Sequence, residues 1–387
     1  MEKNPKFDDI RPYYDDEIEF AIERLLKDQQ LKKAVSFMFP GKNWEQLELM
    51  IRKLTNQRDF QQWVVNFIVI ELLRRTVSKA TFSGLENLSK TTSYTHISNH
   101  RDIILDASIL GFQLLKNGLD TVEVAIGDNL LLNKSIEDLV RMNKSFIVKR
   151  NLPMRQTLEA SLHLSEYIHY TILNKKQSVW IAQREGRAKD SNDRTQESVL
   201  KMLAMGGGKN FLKSLSELNL LPTTFSYEYD PCDYLKAKEF QQKRDNPDFK
   251  KTQEDDMLSM QTGLLGYKGE VHLQLGNPIN PDLLKLNENA GRNELAKDTA
   301  SLIDREIFRN YKFYPINYIT YDRLWGKNLF REKYTSEDIK KIDMYFQQQL
   351  DKIDLPNKDI PFLKSKMEEM YAYPVRNNYE LRIKNYE

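Results

Sequence analysis

Between residues 81 and 275, short runs rich in β-branched and aromatic residues alternate with amphipathic helical stretches, and no other feature constrains the fold as strongly. The strand candidates are 92–99 (TSYTHISN), 121–127 (TVEVAIG), 145–150 (SFIVKR), 178–183 (SVWIAQ), 221–229 (LPTTFSYEY) and 271–276 (VHLQLG). Helical periodicity fills 102–117, 135–143 and 154–174 between them. Strands separated by helices can run parallel, because each helix carries the chain back across the sheet. The expected fold class is therefore α/β, a mostly parallel central sheet flanked by helices. Residues 231–260 interrupt the alternation as a charged helical insertion.

Both ends read differently from this centre. From about 14 to 80 the pattern is consecutive helices, with apolar residues at helical spacing in 18–28 and 44–54 and a break at Pro40-Gly41. After Asn289 it is helical again, in 293–311 and in a helix whose capped start is Thr335-Ser336-Glu337-Asp338. The charged end, 377–387, reads as a solvated tail. The expected organisation is an N-terminal helical region (1–80), an α/β domain (81–290) and a helical C-terminal extension (291–387).

Composition removes several function classes. Lys+Arg 58 against Asp+Glu 56 leaves no global basic field, so no nucleic-acid partner is expected. One cysteine excludes an internal disulfide framework or a Cys-rich zinc site and fits a reducing cytoplasm. The acidic N-terminus lacks the apolar core of a signal peptide. Residues 63–73, the most apolar window, are too short to span a bilayer and carry Asn66 and Glu71. A buried helix is expected there, with a lipid-touching surface as the alternative.

Four blocks stand out where strands end. The first is Asn99-His100-Arg101-Asp102, followed by Asp106; a histidine beside a carboxylate can take a proton from an alcohol at neutral pH. His100 must precede the helix, because five or six residues past a histidine is the wrong angular offset for two side chains on one helix. The alternative reading makes Asp102 a helix cap and His100 a turn residue. The second block is an apolar strand ending in Lys149-Arg150, suited to an anionic ligand. The third is Arg184-Glu185-Gly186-Arg187, a charged turn after a core strand, in which Gly186 permits close backbone approach. The fourth is a strand running from Pro222 to a terminal Tyr227-Glu228 pair. Cys232, with no histidine near it in sequence, reads as structural. His96 lies on a strand, where i, i+4 spacing to His100 does not converge on a metal, and no metal is expected.

In this order and spacing, the four blocks resemble the motifs of the glycerolipid acyltransferase family, which includes the glycerol-3-phosphate and 1-acylglycerol-3-phosphate acyltransferases. The resemblance covers roughly residues 80–280. It implies acyl transfer from acyl-CoA or acyl-carrier protein to a hydroxyl of glycerol-3-phosphate or a lysophospholipid, with no cofactor beyond the acyl donor. By that resemblance His100 is the general base and an aspartate orients it. Arg101, Lys149, Arg150, Arg184, Glu185, Gly186, Arg187, Pro222, Tyr227 and Glu228 then contact substrate. The chain departs from the family where the partner aspartate is expected, five residues after the histidine, since Leu105 stands there. Asp106 is favoured as the partner and Asp102 is the alternative. Backbone N–H groups at the helix start or at Gly186 are the oxyanion candidates. Two rival readings are an O-acyltransferase for a lyso-aminolipid and a non-catalytic lipid- or carrier-binding protein. A hydrolase has weaker support, as there is no Gly-x-Ser-x-Gly elbow. Long-chain products imply peripheral contact with the inner face of the membrane, through the N-terminal helices and residues 63–73.

Overall fold

The computed structural model describes residues 3–38, 41, 43–326 and 328–384; Pro40 of the expected break and residues 385–387 of the expected tail lie outside them. Among the described residues the strands are β1 (Val77–Ser83), β2 (Thr95–Ser98), β3 (Glu123–Gly127), β4 (Ser145–Val148), β5 (Val179–Ala182), β6 (Leu220–Tyr227) and β7 (Gly269–Leu275). They form one sheet in the order β1-β7-β6-β2-β5-β3-β4, parallel at every pairing except β6 with β7. The expected α/β class, with helices at both ends of the chain, is what the structure shows.

Alternation along each strand builds two cores. Val179 and Ile181 of β5 pack with Ile97, Phe146 and Leu220 against helices Met154–Leu173, Glu197–Leu203 and Arg292–Arg309. Trp180 and Leu221, one residue out of phase, face the other side with Phe225 and Leu273, under helix Leu105–Lys116. Period-two side chains thus explain why a four-residue strand can be buried on both faces.

Two expectations about the ends need correction. The N-terminal stretch is helical only to Thr76, where β1 begins and runs across the expected boundary at residue 80. β1 is an edge strand with Ser78, Lys79 and Ala80 exposed, so it lacks an apolar alternation, and its partner β7 lies about 190 residues downstream. Residues 377–384 are not a solvated tail but the end of helix Ile360–Lys384. Asn377 and Asn378 are buried, and the Asn378 amide donates to the Phe308 carbonyl at 2.7 Å. Within 63–73, Val69, Leu72 and Leu73 are core residues beside Leu105 and Ile109, so this face packs internally. No helix among the described residues is long and apolar enough to cross a membrane.

The insertion forms helices Asp233–Asp245 and Gln253–Leu265. Ala237 joins Ile342, Phe346, Met367 and Tyr371 in a third core shared with the C-terminal helices. Thr335 caps helix Ser336–Asp351 as expected: Asp338 N–H donates to Thr335 Oγ1 at 3.1 Å, and Thr335 N–H to Asp338 Oδ2 at 2.8 Å.

Candidate active site at the carboxyl edge of the sheet

The chain leaves β2 on one side of the sheet to build β3, β4 and β5, then crosses to build β6 and β7 on the other. Open α/β sheets bind ligands outside the carboxyl ends of strands at such a reversal. Register aligns the blocks there. Ser98 pairs with Ala182 and with Thr223, so His100 and Arg184 each emerge two residues past the same row. Gly127 pairs with Val148, which sets Arg150 beyond the end of β3.

The loop from β2 to its helix shapes the first block. Asn99 is fully buried; its Oδ1 accepts from Phe225 N at 2.8 Å and its Nδ2 donates to Phe225 O at 2.9 Å, prolonging β2–β6 pairing after β2 ends. His100 Nδ1 then lies 2.9 Å from Asp106 Oδ2. The same oxygen accepts from Arg101 N at 2.6 Å and Asp102 N at 3.1 Å, while Oδ1 accepts from the Tyr227 hydroxyl at 2.9 Å. Asp106 has no solvent exposure, and an acceptor-only carboxylate matches these four donors. Among the described residues no hydrogen-bond partner meets His100 Nε2. The imidazole and the Trp180 ring pack in an edge-to-face arrangement, with ring centroids 5.4 Å apart, and the Trp180 indole is anchored by donating to Ser98 Oγ at 3.0 Å.

Asp102 does something different. Its Oδ1 accepts from Ile104 N at 2.9 Å and Leu105 N at 2.8 Å, capping the helix that begins at Leu105. Burial, reinforced by Asp106, raises its pKa above the ordinary carboxylate value. The imidazole therefore meets Asp106, and the capping alternative holds for Asp102.

His100 opens onto a groove of about 930 Å³ that also takes in Lys149, Arg150, Arg184, Glu185, Gly186 and Arg187. Its apolar lining residues include Val148, Leu164, Val199 and Met202. Among the cations of the lining, Arg184 Nε is buried and unbonded among the described residues. Arg150 lies over Gly127, where an added Cβ would stand 2.7 Å from Arg150 Nε, and its Nη1 is 3.9 Å from Glu185 Oε1. Gly186 has φ +67° with open space around it. Lys149 is already paired with Asp9 at 2.5 Å, and Arg187 Nη2 donates to Ser259 Oγ at 3.2 Å beneath the insertion.

Four residues expected to contact substrate are not brought to the groove. Arg101 turns inward and donates to Asp193 Oδ2 at 2.6 Å and to the Tyr311 hydroxyl at 3.2 Å, because a buried guanidinium requires a counter-charge. Pro222 is interior to β6, where its carbonyl accepts from Gly276 N at 2.8 Å. Glu228 Oε2 accepts from Glu270 N at 2.9 Å. Tyr227 is spent on Asp106. Of the oxyanion candidates, the N–H groups of Arg101, Asp102, Ile104 and Leu105 are committed to the two aspartates, which leaves Ile103 at the helix start and the Gly186 turn, both of which line the groove.

Sequence reasoning missed Asp193, Tyr311 and Trp180 as supports of this site. Asp193 and Tyr311 come from loop positions with no local signal, and Trp180 looked like any core strand residue. Cys232 is buried with Sγ 3.2 Å from the Ser259 carbonyl, and burial raises its pKa, so it offers no nucleophile. His96 is buried within β2 beside Thr223 Oγ1 at 3.3 Å, and burial pushes its pKa down to about 3.

No family profile and no curated protein matches this sequence. Among solved structures it is similar to the crystal structure of the 1-acyl-sn-glycerophosphate (LPA) acyltransferase PlsC from Thermotoga maritima. That likeness is distant, at 12% identity and a TM-score of 0.38 over 73% of this chain and 91% of that one.

Proposed function

We propose that the protein is an O-acyltransferase, moving an acyl group from a thioester to a hydroxyl of a phosphorylated glycerol or lysophospholipid. One observation carries this reading: a His100–Asp106 pair faces, through a free Nε2, a groove whose lining holds both apolar and cationic side chains. An apolar lining suits an acyl chain, and an arginine fork suits a phosphate. In the reaction, His100 Nε2 takes the proton of the acceptor hydroxyl as its oxygen bonds to the thioester carbonyl carbon. The C–S bond then breaks and the imidazolium returns the proton to the leaving thiolate. Asp106 holds Nδ1 and balances the imidazolium charge. Arg150 and Arg184 hold the acceptor phosphate, and N–H groups of the Gly186 turn meet the developing oxyanion. The acyl donor we propose is acyl-CoA or acyl-carrier protein.

A long-chain lipid product implies work at a membrane surface, on its cytoplasmic face. Val69, Leu72 and Leu73 are packed inward, so the contact we favour is the groove rim. There Met154 (91% exposed), Leu158 (63%) and Leu162 (40%) line one side of a helix whose adjacent face, through Thr157, Ser161 and Leu164, lines the groove.

The test is an acyl-transfer assay pairing each donor type with glycerol-3-phosphate, lysophosphatidate and a lyso-aminolipid. Transfer by the native protein and its loss in His100→Gln are expected. Ligand binding without transfer in the native protein would leave the non-catalytic reading in its place; full activity in His100→Gln would remove the histidine mechanism.

A further inference from the structure

We propose that Tyr227 is a positioning residue for this reaction, acting on His100 through Asp106 rather than touching substrate; this rests on the acyl-transfer reading above. Three of the four donors to Asp106 come from residues 100–102, and all three converge on Oδ2. The loop by itself therefore leaves Oδ1 unpaired at a fully buried position and leaves the carboxylate free to turn about its own axis. Tyr227, 121 residues away at the end of β6, is the donor to Oδ1. With Oδ2 set by the loop and Oδ1 by the sheet, the carboxylate plane is fixed. The direction in which His100 Nδ1 is drawn is then fixed too, and with it the placement of Nε2.

Two further observations make the Tyr227 anchor rigid. The Asn99–Phe225 side-chain pair ties the His100 loop to β6 two residues before Tyr227. The Tyr227 ring is also a core side chain among Leu105, Ile109, Phe225 and Val271. Burial, then the charges of Asp106 and Asp102, hold the phenol well above its usual pKa of 10, so it donates at every working pH. A phenol so placed is no acid for the reaction, and the groove lining does not include it.

The experiment is Tyr227→Phe, which removes one oxygen and keeps the ring. We expect kcat to fall about tenfold, the loss of a hydrogen bond to a charged group. KM for both substrates should stay within about twofold, since a positioning role spares ground-state binding. The acid limb of the pH–rate profile should move to higher pH, because a carboxylate stripped of one donor attracts the imidazolium proton more strongly. In an Asp106→Asn background the same change should cost less than in the native protein, because the charge that Tyr227 holds in place is already gone. Site-specific 3-fluorotyrosine at 227, which keeps the hydroxyl and strengthens its donation, should move the limb to lower pH and guards against a Phe variant that fails to fold. A raised KM with unchanged kcat, an unmoved limb, or full additivity with Asp106→Asn would overturn the proposal. If the native protein transfers no acyl group, the function falls separately. The positioning role is then read from the His100 imidazole titration by NMR, assigned with His100→Gln; identical curves for native protein and Tyr227→Phe would overturn it.

Discussion

The Asp106→Asn substitution isolates the electrostatic part of the proposed mechanism. Three donors, at 2.6, 2.9 and 3.1 Å, converge on Oδ2, whereas Oδ1 faces one hydroxyl that can also accept. The amide of an introduced asparagine must therefore put its oxygen at Oδ2 and its NH2 toward Tyr227. His100 Nδ1–H still has an acceptor, so the tautomer survives and only the charge is lost. Imidazolium and carboxylate centres separated by about 4 Å attract by about 4 kcal/mol at an effective dielectric of 20. At about 1.4 kcal/mol per decade, kcat should fall by about 10³ with little change in KM. Asp102→Asn is the internal control. Its amide oxygen can still accept from Ile104 and Leu105 N–H, and its side chain does not meet the imidazole, so kcat should stay within about fivefold. Initial rates for both variants, with thermal melts to confirm folding, provide the comparison. Equal losses in the two, or an Asp106→Asn enzyme within tenfold of native, would refute the reasoning.

Other expectations follow from separate features. Gly127→Ala places a Cβ 2.5 Å from Asn129 Oδ1 and 2.7 Å from Arg150 Nε, so the guanidinium must move. KM for a phosphorylated acceptor should rise about tenfold in initial-rate kinetics, with the acyl-donor KM unaffected. Asp233 is fully buried against the hydroxyls of Tyr345 (2.6 Å) and Tyr371 (2.8 Å), and burial, with Asp230 nearby, pushes its pKa up to about 7. Its folded-state pKa exceeds the unfolded value, so its contribution to stability is complete below about pH 4 and is lost as pH rises through 7, on the order of 4 kcal/mol in all. Chemical denaturation of Asp233→Asn should therefore show less loss of stability than the native protein between pH 5 and pH 8. Replacing Met154 and Leu158 together by serine should cut flotation with anionic liposomes at least tenfold, as two exposed apolar side chains no longer enter lipid, while activity on short-chain soluble substrates is kept.

Six strands of the sheet are legible in the chain, because each buries apolar residues in one or both cores and so carries its own apolar signature. β1 is not, because an edge strand with Ser78, Lys79 and Ala80 exposed is specified by its partner β7 rather than by its own pattern. The helix over 377–384 escapes notice for a related reason. Asn377 and Asn378 look like solvent residues until Asn192 and the Phe308 carbonyl are there to bind them. At the site, the positions of His100, Arg150 and Arg184 at strand ends follow from local periodicity, since a strand that stops being apolar must there leave the core. Arg101 follows the same rule and still points inward, because Asp193 and Tyr311 wait there from distant loops.

The choice between Asp102 and Asp106 marks the same boundary. By itself the sequence determines that a histidine, two nearby carboxylates and a set of cations stand at the carboxyl edge of an α/β sheet, because strand and helix periods are local properties of the backbone. Only the tertiary structure decides that Asp102 caps the helix while Asp106 receives the imidazole. That decision depends on where the loop leaves β2 and on Tyr227, brought from the end of β6 to the second carboxylate oxygen. A hydrogen bond is satisfied by geometry in space, and no spacing along the chain encodes a donor 121 residues away.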